Sequence, residues 1–165
     1  MRLFDEKFWA NKWRYAIQSV MAGIAIAAAL ILFDIVHQPV IIASFGASAF
    51  IAFTSPHRRG GQARYLIGGY VIGVLVGALL HYITVLGVED YDLLKGLYLF
   101  AAGMAVALSM FFMAITNTEH PPAASVAVGL VINDWSFLIL GKLMAGILVV
   151  CVIQWVLRRW MIDLI

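Results

Sequence analysis

The residues best equipped for chemistry lie in one stretch, Thr116-Asn117-Thr118-Glu119-His120-Pro121-Pro122-Ala123-Ala124-Ser125. An imidazole, a carboxylate, an amide and several hydroxyls sit beside two prolines. Apolar residues run up to the stretch from Leu97 and away from it to Val131. Irregular polar backbone is tolerated at membrane depth only where protein or a wet cavity surrounds it. A neutral His120 heading a helix could donate a hydrogen bond to an anion, or carry a proton near neutral pH; its purely structural role would be to cap that helix. Glu119 favours a following helix N-terminus but repels an anion bound there. It must therefore face water or take a proton, since burial raises a carboxyl pKa. Thr116, Asn117 and Thr118 offer uncharged donors to a weakly hydrated anion, or else pair the backbone groups that the prolines set free.

The rest of the chain must bury this break. Hydrophobic residues make up 64% of the 165 and charged residues 12%, against roughly half and about a quarter in a soluble domain. The composition describes an all-α integral membrane protein, a single transmembrane domain with room for about six spans and no attached soluble domain. The single cysteine, Cys151, stands in an apolar run, which excludes disulfides and Cys-based metal sites. The histidines lack metal-ligand spacing, and no nucleophile elbow, P-loop or zinc-protease motif occurs. No metal, cofactor, nucleic-acid partner or enzymatic activity is expected.

Residues 1–13 read as an amphipathic surface helix, with Phe4, Phe8, Trp9 and Trp13 among Arg2, Lys7 and Lys12, and not as a cleavable signal. The first half, 14–86, holds a span from about Arg14 to Phe33, a short segment from Pro39 to Thr54, and a span from about Arg64 to Leu86. The second half, 93–160, holds a span from Leu93 to Ile115, a segment from Pro121 to Ile132, and a span from Trp135 to Trp160. The fifth segment would be about 18 Å long, too short to span alone. Pro39 suits a first helical position. Gly69, Gly73 and Gly77 make a small-xxx-small face for close helix contact.

Both halves read long, break, short, long. His37-Gln38-Pro39 opens the first short segment and His120-Pro121-Pro122 the second, and Ala43-Ser44 is matched by Ala124-Ser125. Three crossings per half require the halves to be inverted, and inverted repeats of transporters place their sites at such interrupted segments. Each short helix would present free N–H groups and positive dipole at its N-terminus, so that two converging ends form an anion path. Arg2, Lys7, Lys12 and Arg14, then Arg58, Arg59 and Arg64, then Arg158 and Arg159 fall on one side after six crossings. That side should be the cytoplasm, with both termini there and the acidic loop Glu89 to Asp92 outside. Arg64 could draw anions to the mouth or simply anchor the span. Lys142 could be the cationic part of a site or snorkel to the surface. His37 with Asp34 marks the outer break or an interfacial turn.

The chain resembles the HPP family of integral membrane proteins. The resemblance rests on His120-Pro121-Pro122-Ala123, on Ser44-Phe45-Gly46-Ala47-Ser48-Ala49, on Pro56, and on Arg64 with Ile67-Gly68-Gly69. It covers about Val40 to Leu130 and implies membrane transport; plastid and cyanobacterial members are linked with nitrite. Many members have Gly-Gly-His where this chain has Gly68-Gly69-Tyr70; if that His binds substrate in the family, Tyr70 implies a different substrate here. The resulting expectation is a bacterial inner-membrane homo-oligomer in contact with membrane lipids that moves a small, nitrite-like anion, with protons as a further partner. Its rivals are a carrier of protons or cations using Glu119 and His120, an intramembrane enzyme using the same pair as acid and base, and a non-transporting assembly subunit.

Overall fold

The computed structural model describes residues 6–33, 39–85 and 91–165. His37, with Asp34 and Gln38, lies outside the described residues, as do Glu89, Asp90 and the first five residues. Six helices follow in order: α1 (Glu6–Phe33), α2 (Pro39–Thr54), α3 (Ala63–Val85), α4 (Tyr91–Thr116), α5 (Pro121–Ile132) and α6 (Phe137–Leu157). Single 3-10 turns at Arg59–Gly61 and Arg158–Trp160 follow α2 and α6. Among the described residues four helices are long and apolar enough to cross a membrane, and α2 and α5 are shorter apolar helices. The chain before Arg14 is already helical from Glu6; α geometry breaks at Asn11, with φ −129° and ψ 21°.

Contacts between distant segments fix the direction of every helix. At one end, Tyr15 donates to the Leu164 carbonyl and Gln18 to the carbonyls of Phe53 and Ile162. The Leu164 amide donates to the Thr54 carbonyl, and Arg64 reaches the Thr116 carbonyl. The start of α1, the end of α2, the start of α3 and the ends of α4 and α6 therefore lie together. At the opposite end His81 of α3 donates to the Val131 carbonyl of α5 and its ring touches Tyr98 of α4 and Trp135 before α6. Successive helices thus run in opposite directions, α5 included. α1–α3 and α4–α6 are inverted with respect to one another.

The packing carries the same symmetry in part. α3 meets α4 as α6 meets α1, and α4 meets α5 as α1 meets α2, but α3 packs on α5 far more extensively than α6 packs on α2. α2 with α5, and α3 with α6, pair across the pseudo-axis. The α3–α5 seam is the tightest. A methyl group at Gly69 would stand 2.5 Å from His120 Cβ, one at Gly73 would overlap the Ala123 carbonyl, and one at Gly77 would meet Ala127. In lipid, where burial alone drives little association, this close backbone approach is what joins helices.

Local chemistry ends the helices around the break. Asn117 has φ 54°, its amide donates to the Ala114 carbonyl, and the Thr118 amide donates to the Met113 carbonyl. Those paired bonds are the Schellman closure of a helix, in which the left-handed residue is most often Gly and sometimes Asn. A β-branched residue cannot adopt that conformation cheaply. Asn117→Val is therefore expected to cost about 1–2 kcal/mol, read as a lower melting temperature in detergent, whereas Asn117→Gly should melt close to the wild type. At the far end Asn133 closes α5 by bonding the Gly129 carbonyl with both amide and side chain, and Ser136 caps α6 by accepting from the Ile139 amide.

Candidate functional site

α5 occupies only the middle of the bundle. His120 lies against Gly69, six residues into α3, or about 9 Å from its start. The loop from α4 therefore descends into the protein before α5 begins. α2 runs antiparallel beside α5, with Val40 against Gly129 and Ser48 against His120. The two short-helix N-termini do not converge at one point, as the repeat suggested. They lie at opposite ends of their overlap, about 12 Å apart on the 1.5 Å rise per residue.

The seam of α2, α3 and α5 holds a continuous buried hydrogen-bond chain. Ser44 Oγ donates to the Pro122 carbonyl at 2.7 Å. Tyr70 OH lies 2.9 Å from Ser44 Oγ and 2.9 Å from Ser48 Oγ. Ser48 Oγ lies 2.8 Å from His120 Nε2. Ser48 and Tyr70 have no exposed surface and His120 only 1%.

The chain has a single polarity. A carbonyl only accepts, so the one Ser44 hydrogen goes to Pro122. Ser44 must then accept from Tyr70, Tyr70 from Ser48, and Ser48 from His120, because each hydroxyl has one hydrogen to give. His120 therefore carries hydrogen on Nε2. Its Nδ1 is buried without a partner and, in the neutral ring, is a bare lone pair. The imidazole does not cap α5: residue 120 occupies the N-cap position, but its side chain makes no capping bond.

The prolines remove most of what was expected of this helix end. Pro121 and Pro122 have no N–H to give, and the Ala123 amide already donates to the His120 carbonyl. The expected cluster of free amides at the start of α5 is absent at its first three positions. What remains is the positive end of the dipole without its usual donors.

A cavity of about 590 Å³ adjoins the chain. His120, Glu119, Pro121, Ala124, Ser125 and Val128 form one wall; Val106, Met110, Met113 and Ala114 of α4, with Val40 of α2, form the other. Glu119 and Ser125 are exposed there. Thr116 bonds back to the Phe112 carbonyl and to Thr118 Oγ1, and the Tyr65 hydroxyl lies 3.4 Å from Asn117 Oδ1. The three polar residues before Glu119 thus close α4 and brace the loop. Arg64 is exposed, 3.5 Å from the Thr116 carbonyl, and does not line the cavity. Pro39 is exposed at the start of α2. Lys142, half-buried six residues into α6, is not part of the cavity wall or the chain. Among the described residues no three of His, Cys, Asp and Glu come together as a metal site would need.

Ser48 was not singled out from the sequence as a site residue. Its signal was present: Ser44 and Ser48 stand one turn apart on a helix that is otherwise apolar up to its last residue, Thr54, and such i, i+4 pairs share a face. Gln18 is a second buried polar residue without sequence warning. It binds the C-terminal residues through Ile162 and α2 through Phe53, and so ties both halves together at the basic end.

A transmembrane protein of Dictyostelium discoideum is 33% identical over 92 residues, covering 56% of this chain and 30% of that protein. A Photorhabdus laumondii protein described as aquaporin Z is 30% identical over 128 residues, covering 74% of this chain and 51% of that one. The chain thus spans about a third and about half the length of these curated relatives. No solved structure matches it. The family model described as HPP, transmembrane region, matches residues 9–162, nearly all of the inverted bundle with its His120-Pro121-Pro122 break. This integral membrane protein belongs to the HPP family.

Proposed function

We propose that the protein moves a small anion of the nitrite class across the membrane, along the cavity beside α5 and past His120. The observation that carries this reading is the buried chain from Pro122 to His120, a residue that lines the cavity and whose Nδ1 is buried without a partner. An intramembrane ionisable residue is costly unless it serves a path or a proton relay. Exposed Arg64, with the loop residues Arg58 and Arg59, supports anion attraction to the end of the bundle where α4 closes. On the positive-inside rule that end is cytoplasmic, in a bacterial inner membrane, with both termini there.

The exposed small-residue face of α2 favours a homo-oligomer. Among the described residues Ala43, Gly46 and Ala47 of α2 are exposed, and small faces suit close contact between helices in lipid. A second reading, passage of an uncharged hydrogen-bond donor, is favoured by the bare lone pair on Nδ1 and by the name of the Photorhabdus relative.

The test is nitrite uptake into proteoliposomes at about pH 6 and about pH 8, on either side of an ordinary histidine pKa, wild type beside His120→Ala. Saturable uptake that the substitution abolishes is the expected result. Folded protein that passes none of nitrite, nitrate, formate or chloride would overturn the anion reading, and water flux alone would move it to the second.

A further inference from the structure

Resting on the transport reading above, we propose that the site takes its anion only together with a proton. The species seated against His120 is then the neutral weak acid, or equivalently its anion on a protonated imidazole. The first support is the polarity of the hydrogen-bond chain. The Pro122 carbonyl orients Ser44, Tyr70 and Ser48 in turn and leaves hydrogen on Nε2. Nδ1 is then the free ring atom, unpartnered in a residue 1% exposed, and without a hydrogen it accepts only.

The second support is the missing backbone donors. Pro121 and Pro122 have none, and the Ala123 amide is spent on the His120 carbonyl. The third is the cavity wall itself. Its polar side chains are Glu119, His120 and Ser125. α2 presents only Val40 there, and α4 only Val106, Met110, Met113 and Ala114. α3 faces His120 with Tyr70, ring centroids 5.9 Å apart, and that hydroxyl is committed to the two serines. Arg64 and Tyr65 of α3 lie against Thr116 and Asn117, outside the cavity wall.

Among the described residues, a bare anion in this place meets a lone pair and a carboxylate, and no cation. The same anion arriving with a proton meets an acceptor. The O–H of nitrous or formic acid donates to Nδ1. If the proton crosses, the O–H bond breaks, an N–H bond forms, and the resulting imidazolium donates back to the anion. On release the proton returns to oxygen and leaves with it. No other bond changes, and Nε2 keeps its hydrogen on Ser48 throughout. The substrate class follows: monovalent anions of small weak acids.

The experiment uses the full chain in proteoliposomes loaded with a pH-reporting dye and pulsed with nitrite or formate, with the membrane potential set by potassium and valinomycin; protein-free vesicles give the background. The expected result is equal entry of protons and anions, unaffected by the potential and driven by an inward proton gradient. Uptake that follows the potential without acidification would overturn proton coupling while leaving the transport reading standing. Absence of any uptake would remove the transport reading, and the coupling with it. A second measurement needs no transport: nitrogen-15 NMR of the substrate-free wild type, with the His120 signals identified by their loss in His120→Gln. Hydrogen on Nε2 of the neutral ring is expected; a neutral ring with hydrogen on Nδ1 would overturn the proposal.

Discussion

Gly73→Ala is expected to destabilise the protein by about 1–3 kcal/mol, the usual cost of forcing extra atoms into a closed contact. The added methyl would overlap the Ala123 carbonyl, a backbone atom that cannot swing aside as a flexible side chain would. α3 and α5 must separate, and with them Gly69 and His120, so that the Ser48 to His120 bond opens as well. Gly103→Ala is the matched control. Its added methyl meets nothing within 4 Å, and replacing glycine inside a helix should gain about 0.5–1 kcal/mol. Thermal unfolding in detergent reads both. If Gly73→Ala melted with the wild type while Gly103→Ala rose, the α3–α5 seam would be looser than described here.

Tyr70→Phe should reverse the polarity of the buried chain. Without the Tyr70 hydroxyl, Ser48 loses the acceptor that takes its hydrogen. His120 Nε2 already lies 2.8 Å away, so Ser48 is expected to turn and donate there, and the ring hydrogen to move to Nδ1. The site then offers a donor to a bare anion. Nitrite uptake should change from electroneutral to potential-driven, and nitrogen-15 NMR should show the other tautomer. The substitution also leaves Ser44 with one bond fewer, and stability should fall by about 1–3 kcal/mol, as for a buried polar group left short of a partner. Ser44→Ala is the second variant. It removes the link to the Pro122 carbonyl, so Tyr70 donates toward Ser48 instead, and the same reversal follows with the aromatic ring intact. Retention of hydrogen on Nε2 in both variants would disprove the relay.

These outcomes bear on what the resemblance to the HPP family suggested for Tyr70. On the proposal above, the position acts through orientation: the hydroxyl would decide which ring nitrogen of His120 carries hydrogen. Its neighbours Gly68 and Gly69 act by absence, since a side chain at either would collide with Thr118 or His120. The family's glycine pair and its His-Pro-Pro motif are therefore two sides of one contact.

Much of this architecture could be read from the chain. Long apolar runs, broken before Pro39 and Pro121, gave four long helices and two short ones, because helices in lipid must satisfy every backbone group internally. An odd number of segments per half required inversion, and Gly69, Gly73 and Gly77 marked the tight seam. The missing donors at Pro121 and Pro122 were equally legible, and the expectation of free amides there failed on local chemistry alone. What only the tertiary structure decided is the chain itself. Ser48 and His120 are 72 residues apart, and Ser44 and Pro122 are 78 apart; which serine meets which ring depends on the register of α2 against α5. Spacing along one helix names a face but not its partner, because registry across helices is set by how small residues and carbonyls fit together. Lys142 and Arg64 show the same limit. Both carried a plausible charge for the site, and the packing placed both outside the cavity wall. Helix length and direction follow from the one-dimensional pattern of apolar and polar residues, whereas a hydrogen-bond chain exists only where atoms from α2, α3 and α5 come within 3 Å of one another.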